Sequence, residues 1–270
     1  MPHTYFIRLR TKKNDLTQVV LKRIINLLNS KPFTITLYDK VERCKKNFSQ
    51  ENIEDIARLF KSLILMKGKN SKVSVTVKAS LDSDFGIVWW TFFVNSSKKI
   101  TEDFFKEIIE FITLFNAAHT IIYGFMTSDK EYKYLHEDIV YYDDGSRVDG
   151  MAGVSMKEFS EFLPGIYWFN IFGKELSESL DIRKVKSIPN AVYSKIGREA
   201  VAFYLNEPID VETMEIRGPK LYGIAKYLGA EYFFNIVNRD ETTYRHPLKF
   251  RQYLEKIKEE YSQRNKRNDL

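Results

Sequence analysis

Phe85-Gly86-Ile87-Val88-Trp89-Trp90-Thr91-Phe92-Phe93-Val94 carries bulky apolar side chains at odd and even positions alike. Successive side chains of a strand point to opposite faces, so a strand apolar on both is expected to be covered on both. The stretch therefore predicts a central strand of a sheet with other elements packed on each side. Just before it, Val73, Val75 and Val77 alternate with Ser74 and Thr76, which predicts a strand with one wet face. The two runs follow each other with no helix between, so they are expected to pair antiparallel.

Working outward, helices and strands interleave. Tyr5, Ile7 and Leu9 alternate with Arg8 and Arg10 as a first strand. Asn14 is placed to cap a helix running to about Asn29, with Leu16, Val19, Val20, Ile24, Leu27 and Leu28 at helical spacing. Phe33, Ile35 and Leu37 predict a half-buried strand. Ser49 is expected to cap a second helix whose apolar stripe is Ile53, Ile56, Ala57, Phe60, Leu63 and Ile64. Thr101 opens a third, with Phe104, Ile108, Phe111, Ile112 and Phe115 in register, and His119 to Phe125 returns as a strand.

Beyond residue 155 the pattern gives a strand at 165–172, a short helix near 175–180, strands near 190–196 and 199–205, and a helix near 219–228. A last amphipathic helix after Pro247 carries Phe250, Tyr253, Leu254, Ile257 and Tyr261, and the charged end Arg264 to Leu270 is expected to fray. The fold class predicted is α+β: a mixed, largely antiparallel sheet with helices packed on its faces.

The composition of residues 128–155 is different. Asp129, Glu131, Glu137, Asp138, Asp143, Asp144 and Asp149 crowd together, punctuated by Gly145, Gly150 and Gly153. An exposed, acidic, turn-rich insertion with at most one short helix is expected. It divides the chain into an N-terminal half at 1–127 and a C-terminal half at 156–270, expected to make one compact unit.

The 270 residues are 44% apolar and 14% aromatic, enough for a substantial core. Cys44 is the single cysteine, so neither an intrachain disulfide nor a thiolate metal cage can form. The first ten residues contain no apolar secretory core, and apolar runs are broken well before the ~20 residues a membrane span needs, so a cytoplasmic protein is expected. Charge is unevenly spread. Residues 1–100 hold nineteen Lys and Arg against eight Asp and Glu, whereas residues 101–150 hold four against eleven. Two surfaces of opposite sign are implied, each able to steer a partner.

Catalytic patterns are hard to find. The histidines His3, His119, His136 and His246 stand in no metal or nucleophile frame, and there is no G-x-S-x-G elbow and no phosphate-binding glycine loop. His119 reads as a hydrogen-bonded structural histidine, and His136 with Glu137 and Asp138 as a weak metal candidate. Gly145 to Gly150 lacks the alternating oxygen ligands of a calcium loop. Glu131-Tyr132-Lys133 matches the E-x-K of metal-dependent nucleases, but its neighbours read as exposed loop or helix instead of strand. Arg8, Arg10, Lys12, Lys13, Arg43, Lys45 and Lys46 offer a basic face for single-stranded nucleic acid, though no recognised module accompanies them. No catalytic residue, metal or cofactor is assigned.

Leu163-Pro164-Gly165-Ile166-Tyr167-Trp168-Phe169-Asn170-Ile171-Phe172-Gly173 is the most distinctive run of the chain. It is bulky on both faces, so Asn170 is a polar amide among apolar neighbours and needs hydrogen-bond partners, a role expected to fix a nearby turn. Gly173 is expected to let the chain bend at the strand end. This run, with Tyr123-Gly124-Phe125-Met126-Thr127-Ser128-Asp129 upstream, resembles the type VI immunity proteins of bacterial polymorphic-toxin systems, in particular the immunity-52 family. The resemblance covers about residues 85–206 and rests on about twenty of them. It implies an α+β, non-catalytic inhibitor that binds a cognate toxin, often a nuclease, with Gly165, Tyr167, Trp168, Asn170, Phe172 and Gly173 as scaffold. The carboxylates Glu137, Asp138, Asp143, Asp144 and Asp149 are then expected in or near the toxin-binding face, complementary to a positive cleft. Another protein-binding role, nucleic-acid binding through the basic third, and a metal-dependent nuclease remain the alternatives.

Overall fold

The structure, a computed structural model, describes residues 3–13, 16–60, 62–70, 72–82, 85–141, 144–151, 159, 162–197, 200–206, 209, 214–234 and 248–268. In the N-terminal half, β1 (His3–Lys12), α1 (Gln18–Asn29), β2 (Ile35–Asp39) and the short β3 (Lys46–Asn47) come first. They are followed by α2 (Ile53–Phe60), β4 (Leu63–Lys69), β5 (Val73–Asp82), β6 (Ile87–Ser96), α3 (Glu102–Ala118) and β7 (Ile121–Ser128). Then come α4 (Asp129–His136), a hairpin of β8 (Glu137–Tyr141) and β9 (Arg147–Met151), and β10 (Phe169–Phe172). The chain continues through α5 (Lys174–Ser179), α6 (Ile182–Lys186), β11 (Ala191–Ile196), β12 (Ala200–Leu205), α7 (Met214–Gly229) and α8 (Leu248–Asn268).

Among the described residues, ten strands form one sheet in the order β11-β12-β10-β7-β1-β6-β5-β4-β2-β3, and β8 pairs with β9 apart from it. The fold is α+β. Every ladder among the described strands is antiparallel, and the one parallel pairing is an isolated bridge between Leu163 and Phe233. The quoted stretch becomes β6, between β1 and β5, with Val77 opposite Phe92 and Leu9 opposite Trp90.

One face of the sheet carries the main aromatic core. Trp90, fully buried, meets Phe60 of α2 at 5.1 Å and Phe115 of α3 at 5.2 Å between ring centroids, and its indole N–H donates to Thr11 at 3.0 Å. Phe92 packs on Phe111 and Phe33. The opposite face is covered unevenly. Every residue of β7 and β10 is buried, whereas Trp89 and Phe93 of β6 are only half-buried. The expectation that β6 is covered on both sides therefore holds fully for one face alone.

Several local expectations shift. The first helix is capped by Thr17, whose hydroxyl accepts from the Val20 N–H; Asn14 lies outside the described residues. Leu63 and Ile64, read as the end of a helical stripe, begin β4, because their cross-strand partners Ser80 and Ala79 decide what the short run becomes. Thr101 caps α3 as expected, accepting from the Phe104 N–H. The helical backbone of α8 extends through Asn268, into the charged end that begins at Arg264.

His119 ends α3 instead of starting β7. Its ring is packed edge-on against Trp90 and Phe115, and neither ring nitrogen has a hydrogen-bond partner among the described residues. It is structural, but as an aromatic filler. Burial, and then Lys13, push its pKa down to about 3. On acidification through the ordinary histidine range the unfolded chain takes this proton first, so His119 weakens the fold as pH falls.

Candidate functional site

The distinctive run 163–173 and the upstream run 123–129 meet as neighbouring strands. β10 pairs antiparallel with β7, setting Phe169 opposite Met126, Asn170 opposite Phe125, Ile171 opposite Gly124 and Phe172 opposite Tyr123. Residues 164–168 are buried but not strand, since Pro164 has no N–H to give a ladder and Gly165 takes φ +146°. Asn170 closes the turn that follows. Its Oδ1 accepts from the Tyr167 N–H at 3.0 Å and its Nδ2 donates to the Tyr167 carbonyl at 2.6 Å. The Tyr167 ring is thereby laid on Phe125, with centroids 3.7 Å apart.

Asn170→Ala leaves the buried N–H and carbonyl of Tyr167 without those partners, and an expected loss of about 2 kcal/mol follows. Denaturant unfolding measures it. Asn170→Asp keeps the acceptor but not the donor and buries a carboxylate, so its deficit should shrink as pH falls.

Gly173 is required by contact rather than by bending. Its φ is an ordinary −63°, but a Cβ there would stand 2.5 Å from the Ile121 carbonyl oxygen. It sits at the N-cap of α5, and its N–H donates to the Ile122 carbonyl.

The Thr127-Ser128-Asp129 step is a helix start. Ser128 caps α4 by accepting from the Glu131 N–H, and Asp129 pairs with Lys133 one turn on, at 2.9 Å. Glu131 turns inward and is fully buried. Its Oε1 accepts from Thr127 Oγ1 at 2.8 Å and from the Trp168 N–H at 2.7 Å, and its Oε2 from Arg217 of α7 at 3.3 Å. Arg217, equally buried, also donates to the Ile209 carbonyl at 2.6 Å. Burial pushes the Glu131 carboxyl up, opposed by Arg217 and the two other donors.

So Glu131 binds four segments of the fold together and is sealed from solvent. Two positions apart on a helix, Glu131 and Lys133 face in different directions, Lys133 being exposed. The E-x-K geometry of a metal nuclease is not formed, and the expectation of an exposed triplet is corrected at Glu131 and Tyr132, both buried. His136, the weak metal candidate, is fully buried with its Nε2 2.7 Å from the Tyr167 hydroxyl, while Glu137 is exposed.

The described residues of the insertion form α4 followed by the β8–β9 hairpin, where a loop with at most one short helix was expected. Asp138 lies opposite Gly150, and Asp149 opposite Ile139, one position away across the ladder. Glu137 and Asp144 are exposed. Asp144 accepts from the Ser146 N–H at 2.8 Å; hydrogen bonding from the Ser146 side chain, and then from that N–H, holds its carboxyl below the usual range, and Gly145 between them takes φ +80°. Four of the five predicted carboxylates therefore belong to one hairpin; Asp143 lies outside the described residues.

The basic first third is dispersed. Arg10 is buried, its guanidinium stacked 3.3 Å from the Trp89 ring, with burial and then Arg8 lowering its pKa. Arg8 lies over Tyr132 at 4.5 Å, Lys12 over Tyr253 at 4.7 Å, and Lys46 pairs with Asp55 at 2.6 Å. Arg43 and Lys45 are exposed. The seven cations do not make one face.

Sequence reasoning missed Arg217, whose only local signal was the unusual Arg217-Gly218-Pro219 within a helix. Gly218 has no side chain where Tyr134 of α4 lies against it, which lets α7 approach closely.

No protein-family match and no match among curated proteins was found for the chain. Its fold is similar to that of the T6SS protein PA0821 of Pseudomonas aeruginosa, over 94% of this chain and 81% of that one, at 10% identity and a TM-score of 0.52. A second likeness is to a chain of the crystal structure of the toxic C-terminal tip of CdiA from Pseudomonas aeruginosa in complex with immune protein. It covers 48% of this chain and 92% of that one at 13% identity, and its TM-score of 0.27 carries no structural argument. No helix among the described residues is long and apolar enough to cross a membrane.

Proposed function

We propose that this protein is an immunity protein, a non-catalytic inhibitor that binds a cognate toxin of a polymorphic-toxin or type VI secretion system. The observation that carries the proposal is the acidic β8–β9 hairpin, hydrogen-bonded apart from the main sheet, with Glu137 and Asp144 exposed to solvent. A carboxylate-rich projection suits the positive cleft of a toxin that acts on nucleic acid, speeding encounter and fixing orientation. The fold shared with a T6SS protein and the 163–173 run support the same assignment.

The test is co-purification with the product of the adjacent gene, together with growth of cells making that product alone. A tight complex, and growth arrest relieved by this chain, are expected; the absence of both complex and toxicity overturns the proposal. Within the complex, reversing Glu137, Asp144 and Asp149 to Lys should slow association about tenfold at low salt, with the gap narrowing as salt rises. Stopped-flow or surface binding reads this out, and unchanged rates remove the hairpin from the interface.

A further inference from the structure

The stretch 85–94 has the composition of a strand buried on both faces, yet one face of β6 is left half-open. Trp89 and Phe93 are half-buried there, while Ile87 and Thr91 on the same face are buried. The strands beside them continue that face. Lys78 of β5 stands opposite Leu65 of β4, and Thr76 stands between Lys67 and Phe93. Leu65 and Lys67 are half-buried and Lys78 is exposed. Neither lysine has an ion pair among the described residues.

The face is therefore apolar and cationic together. On this side α4 contacts β1 and β7, with Tyr132 against Phe6, which in turn meets Phe93, and α8 reaches the opposite end of β1 and β6, where Tyr253 lies against Lys12 and Tyr261 beside Gly86.

We propose that the open face of β4, β5 and β6 is a second docking surface for the same toxin, taking an acidic segment with apolar side chains. This inference rests on the immunity assignment above. Half-exposed apolar side chains on a sheet gain from being covered, and the lysines select a partner bearing carboxylates. A single-stranded nucleic acid fits less well. Leu65 offers no ring for a base to stack on, Arg10 occupies one face of Trp89, and Phe93 is already in edge-to-face contact with Phe6. Two patches of opposite sign, this face and the hairpin, would admit the toxin in one orientation only.

The experiment measures toxin affinity by calorimetry for the full chain, for Lys67→Glu/Lys78→Glu, and for the hairpin charge reversal. The face substitutions lie on the wet side of the sheet, and thermal unfolding checks that the fold is kept. The milder Lys67→Ser/Lys78→Ser serves if the first variant unfolds early. At least tenfold weaker binding by the face variant, with the fold intact, is expected. Full affinity in the face variant overturns the second surface while leaving the immunity assignment standing. No binding by the unaltered chain overturns both. The same variants are assayed against oligodeoxythymidylate and by sedimentation. Loss of oligonucleotide binding or of self-association alone, with toxin affinity unchanged, reassigns the face to nucleic acid or to a second copy and overturns the proposal.

Discussion

Arg217→Met is expected to destabilise the protein by about 3–5 kcal/mol, because it leaves the Glu131 carboxylate buried without its countercharge. Both groups have almost no solvent access, so water cannot take the place of the guanidinium. Thr127 and the Trp168 N–H still donate to Glu131, which limits the loss without removing it. The remedy open to the variant is protonation of Glu131, whose carboxyl burial already pushes up. The sign follows. A carboxyl with a raised folded pKa opposes folding above that pKa, where it must ionise inside the protein, and the penalty fades as pH falls through it. The deficit of Arg217→Met should therefore be largest near neutral pH and shrink on acidification. Urea unfolding at several pH values measures it. A double variant, Glu131→Gln with Arg217→Met, should recover much of the loss at neutral pH, since no buried charge remains. An equal deficit in the single and double variants would mean that packing, not charge, dominates at this site.

Trp90→Ala and Trp89→Ala, one position apart, should differ sharply. Trp90 is fully buried between Phe60, Phe115 and His119, and its truncation removes a large core side chain and the bond to Thr11. A loss of about 3–5 kcal/mol is expected, with a cavity that the neighbouring rings fill incompletely. Domains are stable by only ~5–15 kcal/mol, so the variant should be unfolded or nearly so at physiological temperature. Trp89 is half-buried beneath Arg10, and its truncation loses less burial and a cation–π contact, about 1–2 kcal/mol. Thermal unfolding of the two variants side by side provides the comparison. Equal losses would show that the outer face of β6 is as tightly packed as the inner one, and would weaken the case for a docking surface there.

Much of the fold is legible one element at a time. The alternation in β1 and β5, the capping of α3 by Thr101 and the α+β class follow from periodicity and capping chemistry, which act between residues a few positions apart. The acidic cluster was also visible, as was the need of Asn170 for partners, and both of its bonds go to a residue three positions back. What failed locally failed for a physical reason. Leu63 and Ile64 are strand because of residues across the ladder, and a short apolar run cannot itself say which period it obeys. The insertion looked like loop because its hairpin is polar and short, and pairing energy in a hairpin is not written in hydrophobic alternation.

Sequence by itself determined the element types over the longer periodic segments, the impossibility of a disulfide cage, and the segregation of charge along the chain. Tertiary structure alone decided the strand order, the sealing of Glu131 against a partner 86 positions away, and the burial of Arg10 in what read as a basic surface. The dividing line is sequence distance. Periodicity and capping are written within a few residues, whereas burial depends on which distant element comes to lie above a side chain. Glu131 and Lys133 share one short helix, and the arrival of α7 and of the run through Trp168 over one of them made it core and left the other in water.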